Sequence, residues 1–193
     1  MSNIRQKREK EIINAAKKVF LEKGYVNATM EDIIDETELS KGGVYHYFNN
    51  KADICVKLMD SVTSDRLDLT DKLDAANSDI IEEICAYFIK LLKTDSEEVQ
   101  LASIILIDTR NDIKLQNKIH EQFVGRDLSI ISDYVYSRVN VKNKKFFERK
   151  LYFFLEIFHA LLYYKYIETI NYSQIEMELK EMFTNIFNDV QTE

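Results

Sequence analysis

Apolar residues recur along this chain at the three- and four-residue spacing that is typical of amphipathic helices. In the first such segment, from about Arg5 to Lys23, Ile12, Ala16 and Phe20 form one stripe. The same periodicity predicts further helices over about 79–93, 97–108, 113–138, 145–169 and 173–190. The chain has no proline and four glycines, so few positions oppose helix formation. We therefore predict an all-α fold of about nine helices joined by short connections.

The segment 29–51 is the most informative, because it predicts two short helices joined by a tight turn. Thr29 is an N-cap candidate, and Asp32 three residues later completes a variant of the capping box. Ser40 is a second N-cap candidate, which opens a helix from Lys41 to about Phe48.

This second short helix has one apolar stripe and an opposite face without carboxylates. Val44 and Phe48, four residues apart, are expected to be buried together. No acidic residue lies between Leu39 and Ala52. The face opposite the buried stripe would present Lys41, Gly42, Tyr45, His46 and Tyr47. Such a helix can lie against a polyanion.

Two glycines, Gly42 and Gly43, occupy the first turn of this helix. Glycine in a helix interior costs about 1 kcal/mol relative to alanine, so it is a poor choice for stability alone. The absent side chains would let the backbone approach another surface closely. The alternative is a loose turn that happens to be rich in glycine.

Two stretches of the chain carry a resemblance to a known family. The run from Leu39 to Lys51 resembles the recognition helix and following turn of the tetracycline-repressor (TetR/AcrR) family. The preceding residues resemble the family's first two helices at Ala15, Ala16, Phe20, Lys23, Gly24, Tyr25, Ala28, Thr29, Met30 and Ile33. The match covers about the first 60 residues. Thr37 is a mild departure, because the family often has a small residue there.

The resemblance implies an N-terminal three-helix helix-turn-helix DNA-binding domain over 1–51. It also implies a C-terminal helical ligand-binding and dimerisation domain over 52–193. Such a protein is a one-component transcriptional regulator, a repressor that binds a palindromic operator as a homodimer and is released by a small-molecule inducer. The residues expected to contact phosphates are Thr29, Ser40, Lys41, Tyr45, Tyr47 and Lys51, and those expected nearest the base edges are Gly42, Gly43 and His46.

The charge distribution is compatible with DNA binding although the net charge is −7. Residues 1–23 hold seven basic and three acidic residues, whereas 1–60 hold ten of each. The acidic excess therefore lies beyond residue 60. A locally basic end on an acidic body permits one docking orientation and implies strong salt dependence of binding.

The segment from Leu151 to Ile167 is apolar or aromatic nearly all round. It has 17 residues and contains Glu156, His159 and Lys165, so we do not expect it to span a membrane. A helix without a polar face must be covered on several sides, and a second subunit can provide one of them. The residues predicted for this dimer seam are Phe154, Phe158, Leu161, Leu162, Phe183 and Phe187. The resemblance likewise implies that the last two helices form the dimer interface.

The C-terminal part is expected to be an acidic helical body rich in tyrosine and phenylalanine, which could enclose a cavity, but the sequence does not identify a ligand. Candidate polar contacts to a cationic or aromatic effector are Tyr87, Asp108, Tyr134, Tyr152, Glu156, His159 and Tyr163. The alternative is that these are core aromatics and surface acids. Glu156 and His159 have the spacing of a di-iron motif, but no second copy exists, so we expect a satisfied polar pair or pocket-lining groups and no metal or cofactor.

The remaining features favour a binding protein. No Ser/His/Asp order or glycine-rich phosphate loop is present, so enzymatic activity is not expected. An all-helical enzyme, metal-dependent or otherwise, is the alternative. Cys55 and Cys85 have no metal-ligand spacing, which suggests a reducing compartment, and the first residues lack an apolar signal region. We therefore expect a cytoplasmic location.

Overall fold

A computed structural model describes residues 2–64, 79–93, 95–164 and 171–192, and within these ranges every regular element is an α-helix. This confirms the predicted all-α class. The helices are α1 (Ser2–Asn27), α2 (Met30–Asp35), α3 (Lys41–Tyr47), α4 (Lys51–Ser64), α5 (Ile80–Lys93), α6 (Glu97–Asp108), α7 (Ile113–Arg138), α8 (Lys144–Tyr164) and α9 (Tyr172–Thr192). The last residues predicted for the eighth helix, 165–169, lie outside the described ranges.

The chain divides into two compact units. The first consists of Met1–Thr63 and Ser96–Gln122, and the second of Ser64–Asp95 and Phe123–Glu193. The first unit therefore includes α6, although α6 lies beyond residue 51, where the sequence predicts that the N-terminal domain ends. The functional division at that residue stays a prediction.

Helix α1 is the centre of the first unit. Its predicted stripe is buried, with Ile12, Ala16 and Phe20 fully covered. Ion pairs join α1 to the α2 region: Lys18 lies 2.7 Å from Glu36, and Lys23 lies 2.6 Å from Asp32. The backbone N–H of Glu38 also donates to the Glu11 carboxylate at 3.1 Å. The side of α1 that faces α2 is thus fixed along most of its length.

Gly24 interrupts α1, close to where the sequence predicts that the first helix ends. Its φ of 75° and ψ of 162° are not helical, and glycine adopts a positive φ at little cost. One further helical turn follows, in which the Ala28 N–H donates to the Gly24 carbonyl at 3.2 Å. This 24–28 turn leads directly to the N-cap of α2.

Aromatic rings fill the core of the second unit. The centroid of Phe88 on α5 lies 4.4 Å from that of Phe158 and 4.8 Å from that of Phe154, both on α8. Phe183 on α9 lies 4.4 Å from Phe154. Among the described helices, none has the length and apolar character needed to cross a membrane.

This core corrects the predicted dimer seam. Five of the six proposed residues are already covered by their own chain: Phe154, Phe158, Leu162, Phe183 and Phe187. Leu161 is half-buried. The side chains that α8 leaves outside are Phe153, with 63% of its surface exposed, Tyr152 with 42% and Ile157 with 38%. The apolar periodicity of α8 is continuous around the helix, so it did not distinguish the covered side from the open one.

Candidate nucleic-acid interface

The predicted capping box at the start of α2 is present. The Asp32 N–H donates to the Thr29 hydroxyl oxygen at 3.1 Å, and the Thr29 N–H donates to the Asp32 carboxylate at 2.8 Å. Hydrogen bonds from Lys23 and then from Thr29 lower the pKa of Asp32 to about 2. One carboxylate therefore joins the end of α1 to the beginning of α2.

Helix α3 has the predicted N-cap, and one of its sides is buried as the sequence predicts. The Gly43 N–H donates to the Ser40 hydroxyl oxygen at 3.2 Å. Val44 is fully buried and Phe48 is nearly so, which confirms the predicted stripe. Packing of this stripe against the first unit fixes which face of α3 points outward.

The outward face of α3 carries the residues predicted for DNA contact. Lys41, Gly42, Tyr45 and His46 are exposed, and Tyr47 is half-buried with its ring 5.1 Å from that of His46. A Cβ added at Gly42 would meet no atom within 4 Å. The protein's own packing therefore does not require a glycine at this position, which leaves close approach by another molecule as a physical reason for it.

The first turns of α1 add basic groups that sequence reasoning did not place in the site. Arg5 and Arg8 lie close enough to Tyr47 for an electrostatic interaction with it. Each arginine also pairs with a glutamate of α1, Arg5 with Glu9 at 2.9 Å and Arg8 with Glu11 at 2.7 Å. The basic excess of 1–23 was the available signal, but it did not show which residues approach α3.

Lys51 has a different place from the one predicted. Its ammonium group donates to the carbonyl oxygens of Tyr25 at 2.5 Å and Ala28 at 2.6 Å, and it lies 4.3 Å from the centre of the Tyr25 ring. Burial lowers the pKa of Lys51. We therefore correct its assignment from a phosphate contact to a group that holds the 24–28 turn.

The residues predicted to line an effector site belong to both compact units. Asp108 belongs to the first unit, where its carboxylate accepts the Val26 N–H at 3.2 Å. In the second unit, His159 lies 2.9 Å from the carboxylate of Asp127. The Tyr134 hydroxyl donates to Glu83, and burial followed by this bond raises the pKa of Tyr134 to about 12.

Three more of the predicted effector contacts, Tyr152, Glu156 and Tyr87, interact with other side chains of this chain. Tyr152 is exposed and hydrogen-bonds Glu156, which is only half-buried, so the premise of a buried carboxylate at Glu156 is wrong. Tyr87 is buried against Phe88. The Tyr163 side chain lies outside the described part of the structure.

The buried carboxylate that sequence reasoning missed is Glu83. It lies four residues before Tyr87, on the buried face of α5, and it has Tyr134 and Arg138 as partners. Asp127 was missed as well, although it falls between the buried Val124 and Ile131 at helical spacing. A polar residue inside an apolar stripe was the available signal in both helices.

Comparison with known proteins finds relatives for the part of the chain that contains these helices. Residues 12–58 match the family model described as bacterial regulatory proteins, tetR family. The HTH-type transcriptional regulator YfiR of Bacillus subtilis is 33% identical over 87 residues, which are 45% of this chain and 42% of that protein. TtgR of Pseudomonas putida is 36% identical over 57 residues, or 30% of this chain and 27% of TtgR. Residues 12–58 of this chain are therefore similar to the tetR family of bacterial regulatory proteins.

Solved structures of tetR-family regulators share the fold over nearly the whole chain. One from Mesorhizobium loti has a TM-score of 0.67 at 18% identity and covers 95% of this chain and 96% of its own. FadR of Bacillus subtilis, in complex with stearoyl-CoA, has a TM-score of 0.57 at 17% identity and covers 89% and 95%. This chain spans less than half of the length of these curated relatives, 42% of YfiR and 27% of TtgR.

Proposed function

We propose that the chain is a DNA-binding transcriptional regulator, a repressor whose α3 enters the major groove of operator DNA. The observation that carries the proposal is the outward face of α3, which is exposed, free of carboxylates and open above Gly42. The second helix of a helix-turn-helix reads base edges in the major groove, while the first helix crosses the backbone.

The capped helices supply the proposed contacts. Gly42, Gly43 and His46 are assigned to the base edges. The side chains assigned to phosphates are Thr29, Ser40, Lys41, Tyr45 and Tyr47. Lys41 lies 3.1 Å from Glu31, but both side chains are largely exposed, and such surface pairs contribute about 0–1 kcal/mol. A phosphate can therefore replace Glu31 as the partner of Lys41.

We assign the dimer interface to the exposed side of α8, together with α9. Phe153 and Ile157 lie four residues apart on that side and leave a large apolar area open to solvent. A two-fold dimer would bury this area twice, and its symmetry would match a palindromic operator. The homodimer is supported by this exposed stripe and by the similarity of residues 12–58 to the tetR family.

We further propose that the second unit binds a small-molecule inducer. The tetR-family fold holds stearoyl-CoA in FadR of Bacillus subtilis, which supports a ligand site in this fold. Linkage requires that an inducer stabilise the protein and weaken operator binding together. A compound that raises the melting temperature without any loss of operator affinity would contradict release by that compound.

In-vitro selection from genomic fragments tests the DNA-binding function. We expect the wild-type protein to enrich an inverted repeat, and His46→Ala to recover fewer or altered sequences because it removes a proposed base contact. Absence of any enriched duplex would contradict the proposal. An all-helical enzyme would then be favoured if elemental analysis also found a bound metal.

A further inference from the structure

Both ends of helix α6 are attached to α1. At the start of α6, Glu98 and Glu97 lie 2.6 Å and 3.1 Å from the Lys17 ammonium group. At the end of α6, the Asp108 carboxylate accepts the Val26 N–H at 3.2 Å. The first attachment joins two helices through exposed and half-exposed side chains, whereas the second reaches the turn that leads into the helix-turn-helix.

The backbone of this turn permits the approach of Asp108. A Cβ added at Gly24 would lie 2.9 Å from the Asp108 carboxylate oxygen, which is closer than real Cβ contacts. Gly24 thus meets two demands, because its φ of 75° also favours glycine. The glycine and the carboxylate fit each other across two segments that are more than 80 positions apart in the chain.

The same turn is held from α4 by Lys51. Asp108 accepts an N–H of the turn, and Lys51 donates to three of its carbonyl oxygens, those of Tyr25, Val26 and Ala28. The negative charge of Asp108 also favours the protonated form of Lys51. Because Ala28 immediately precedes the N-cap Thr29, the position of the turn determines where α2 begins.

We propose that Asp108 is a positioning residue that couples α6 to the helix-turn-helix by fixing the 24–28 turn. The proposal rests on the proposed function for its effect on DNA. A carboxylate that touches no DNA then controls operator affinity, because it holds the start of α2 and, with Lys51, the relation of α2 to α4. Loss of this carboxylate would leave the Val26 N–H without its acceptor and would weaken DNA binding through the turn.

The test compares Asp108→Ala, Asp108→Asn and Glu98→Gln with the wild type. Backbone amide exchange at Val26 reports the turn, and fluorescence anisotropy on the selected duplex reports operator affinity. For Asp108→Ala we expect exchange at Val26 and the operator dissociation constant each to rise roughly tenfold, within the usual range of coupling between sites. Asp108→Asn keeps an acceptor oxygen, so we expect its affinity to fall between that of Asp108→Ala and the wild type.

Glu98→Gln is the matched control at the other end of α6. We expect its operator affinity to stay within about twofold of the wild type, because exposed ion pairs contribute little and Glu97 also pairs with Lys17. An equal loss in Glu98→Gln would overturn the assignment to Asp108. If Asp108→Ala does not fold, Asp108→Asn decides, and wild-type exchange and affinity in that variant would overturn the proposal.

The outcomes separate this proposal from the proposed function. Faster exchange at Val26 with unchanged operator affinity would overturn the coupling and leave DNA binding intact. Unchanged exchange in Asp108→Ala would overturn the structural role of the carboxylate. Failure of the wild type to bind any selected duplex would instead contradict the proposed function, and with it the coupling to DNA, while the exchange data would still decide whether Asp108 holds the turn.

Discussion

The Lys51 ammonium group lies 2.6 Å from the carbonyl oxygen of Ala28, the residue that precedes the N-cap of α2. It also donates to Tyr25 and lies over the Tyr25 ring. A lysine beside the helix-turn-helix is thus occupied by backbone groups of its own chain. Its contribution to DNA binding is therefore expected to pass through the folded structure of the turn.

This placement predicts that Lys51→Met lowers stability. Loss of the charged donor leaves three carbonyl groups without it, so we expect the free energy of unfolding to fall by about 1–2 kcal/mol. Urea unfolding measures this change. The slope of log affinity against log salt should change by much less than one, because no phosphate contact is lost.

Lys41→Met is the matched control for Lys51→Met. Lys41 is exposed, so we expect an unchanged free energy of unfolding and a salt slope that is lower by roughly one. If the two variants exchanged these phenotypes, the assignment of Lys51 to the turn and of Lys41 to phosphate would both be wrong.

Gly42→Ala should separate stability from DNA binding. The added methyl group meets no atom of the protein within 4 Å, so we expect the variant to fold and to gain about 0.4–1 kcal/mol. Operator affinity should fall, because the methyl group occupies the space in which the backbone approaches the bases. Gly125→Ala on α7 is the control, since it is equally open: it should gain stability with wild-type affinity. Wild-type affinity in Gly42→Ala would remove Gly42 from the interface.

The lowered pKa of Asp32 predicts that the stability of the fold decreases in acid. Its pKa is lowered from an ordinary 3.8 to about 2 in the folded protein, so the folded state holds the proton less tightly than the unfolded state. The stabilisation is complete above about pH 4 and is lost as the pH falls to about 2. Denaturant unfolding of the wild type and Asp32→Asn should therefore converge over that interval. A difference that stayed constant from pH 6 to pH 2 would show that Asp32 does not titrate in this way.

The proposed dimer interface predicts different outcomes for a charge placed on the exposed side of α8 and for a charge placed in the core at α9. Phe153→Asp should give a folded monomer, because Phe153 is exposed in the single chain. Phe183→Asp should prevent folding, because it places a charge in the aromatic core. Ile113→Asp, at an exposed apolar residue of the first unit, should stay folded and dimeric. Sedimentation and circular dichroism distinguish these states, and a dimeric Phe153→Asp would exclude that residue from the interface.

Local signals predicted helices α2 and α3. The caps Thr29 and Ser40 and the pair Val44 and Phe48 act over three or four residues, so spacing alone identifies them. The role of Lys51 depends on carbonyl groups 23 and 26 residues earlier in the chain, which no local pattern records.

In the second unit, too, contacts between distant segments decide which residues are buried. Phe153 and Phe154 are chemically identical neighbours, yet one is exposed and the other fully buried, because α5 and α9 supply rings to only one side of α8. Sequence predicted that α8 needs cover on several sides. It did not predict which residues receive that cover from their own chain.

The most direct test of operator recognition is a hydroxyl-radical footprint of the wild-type protein on the duplex recovered by selection. Two recognition helices in a two-fold dimer should protect two symmetric half-sites whose centres lie about 34–36 Å apart, or a multiple of that distance. Gly42→Ala should show the same pattern only at higher protein concentration. A single protected patch, or uniform protection without symmetry, would contradict binding of a dimer through α3.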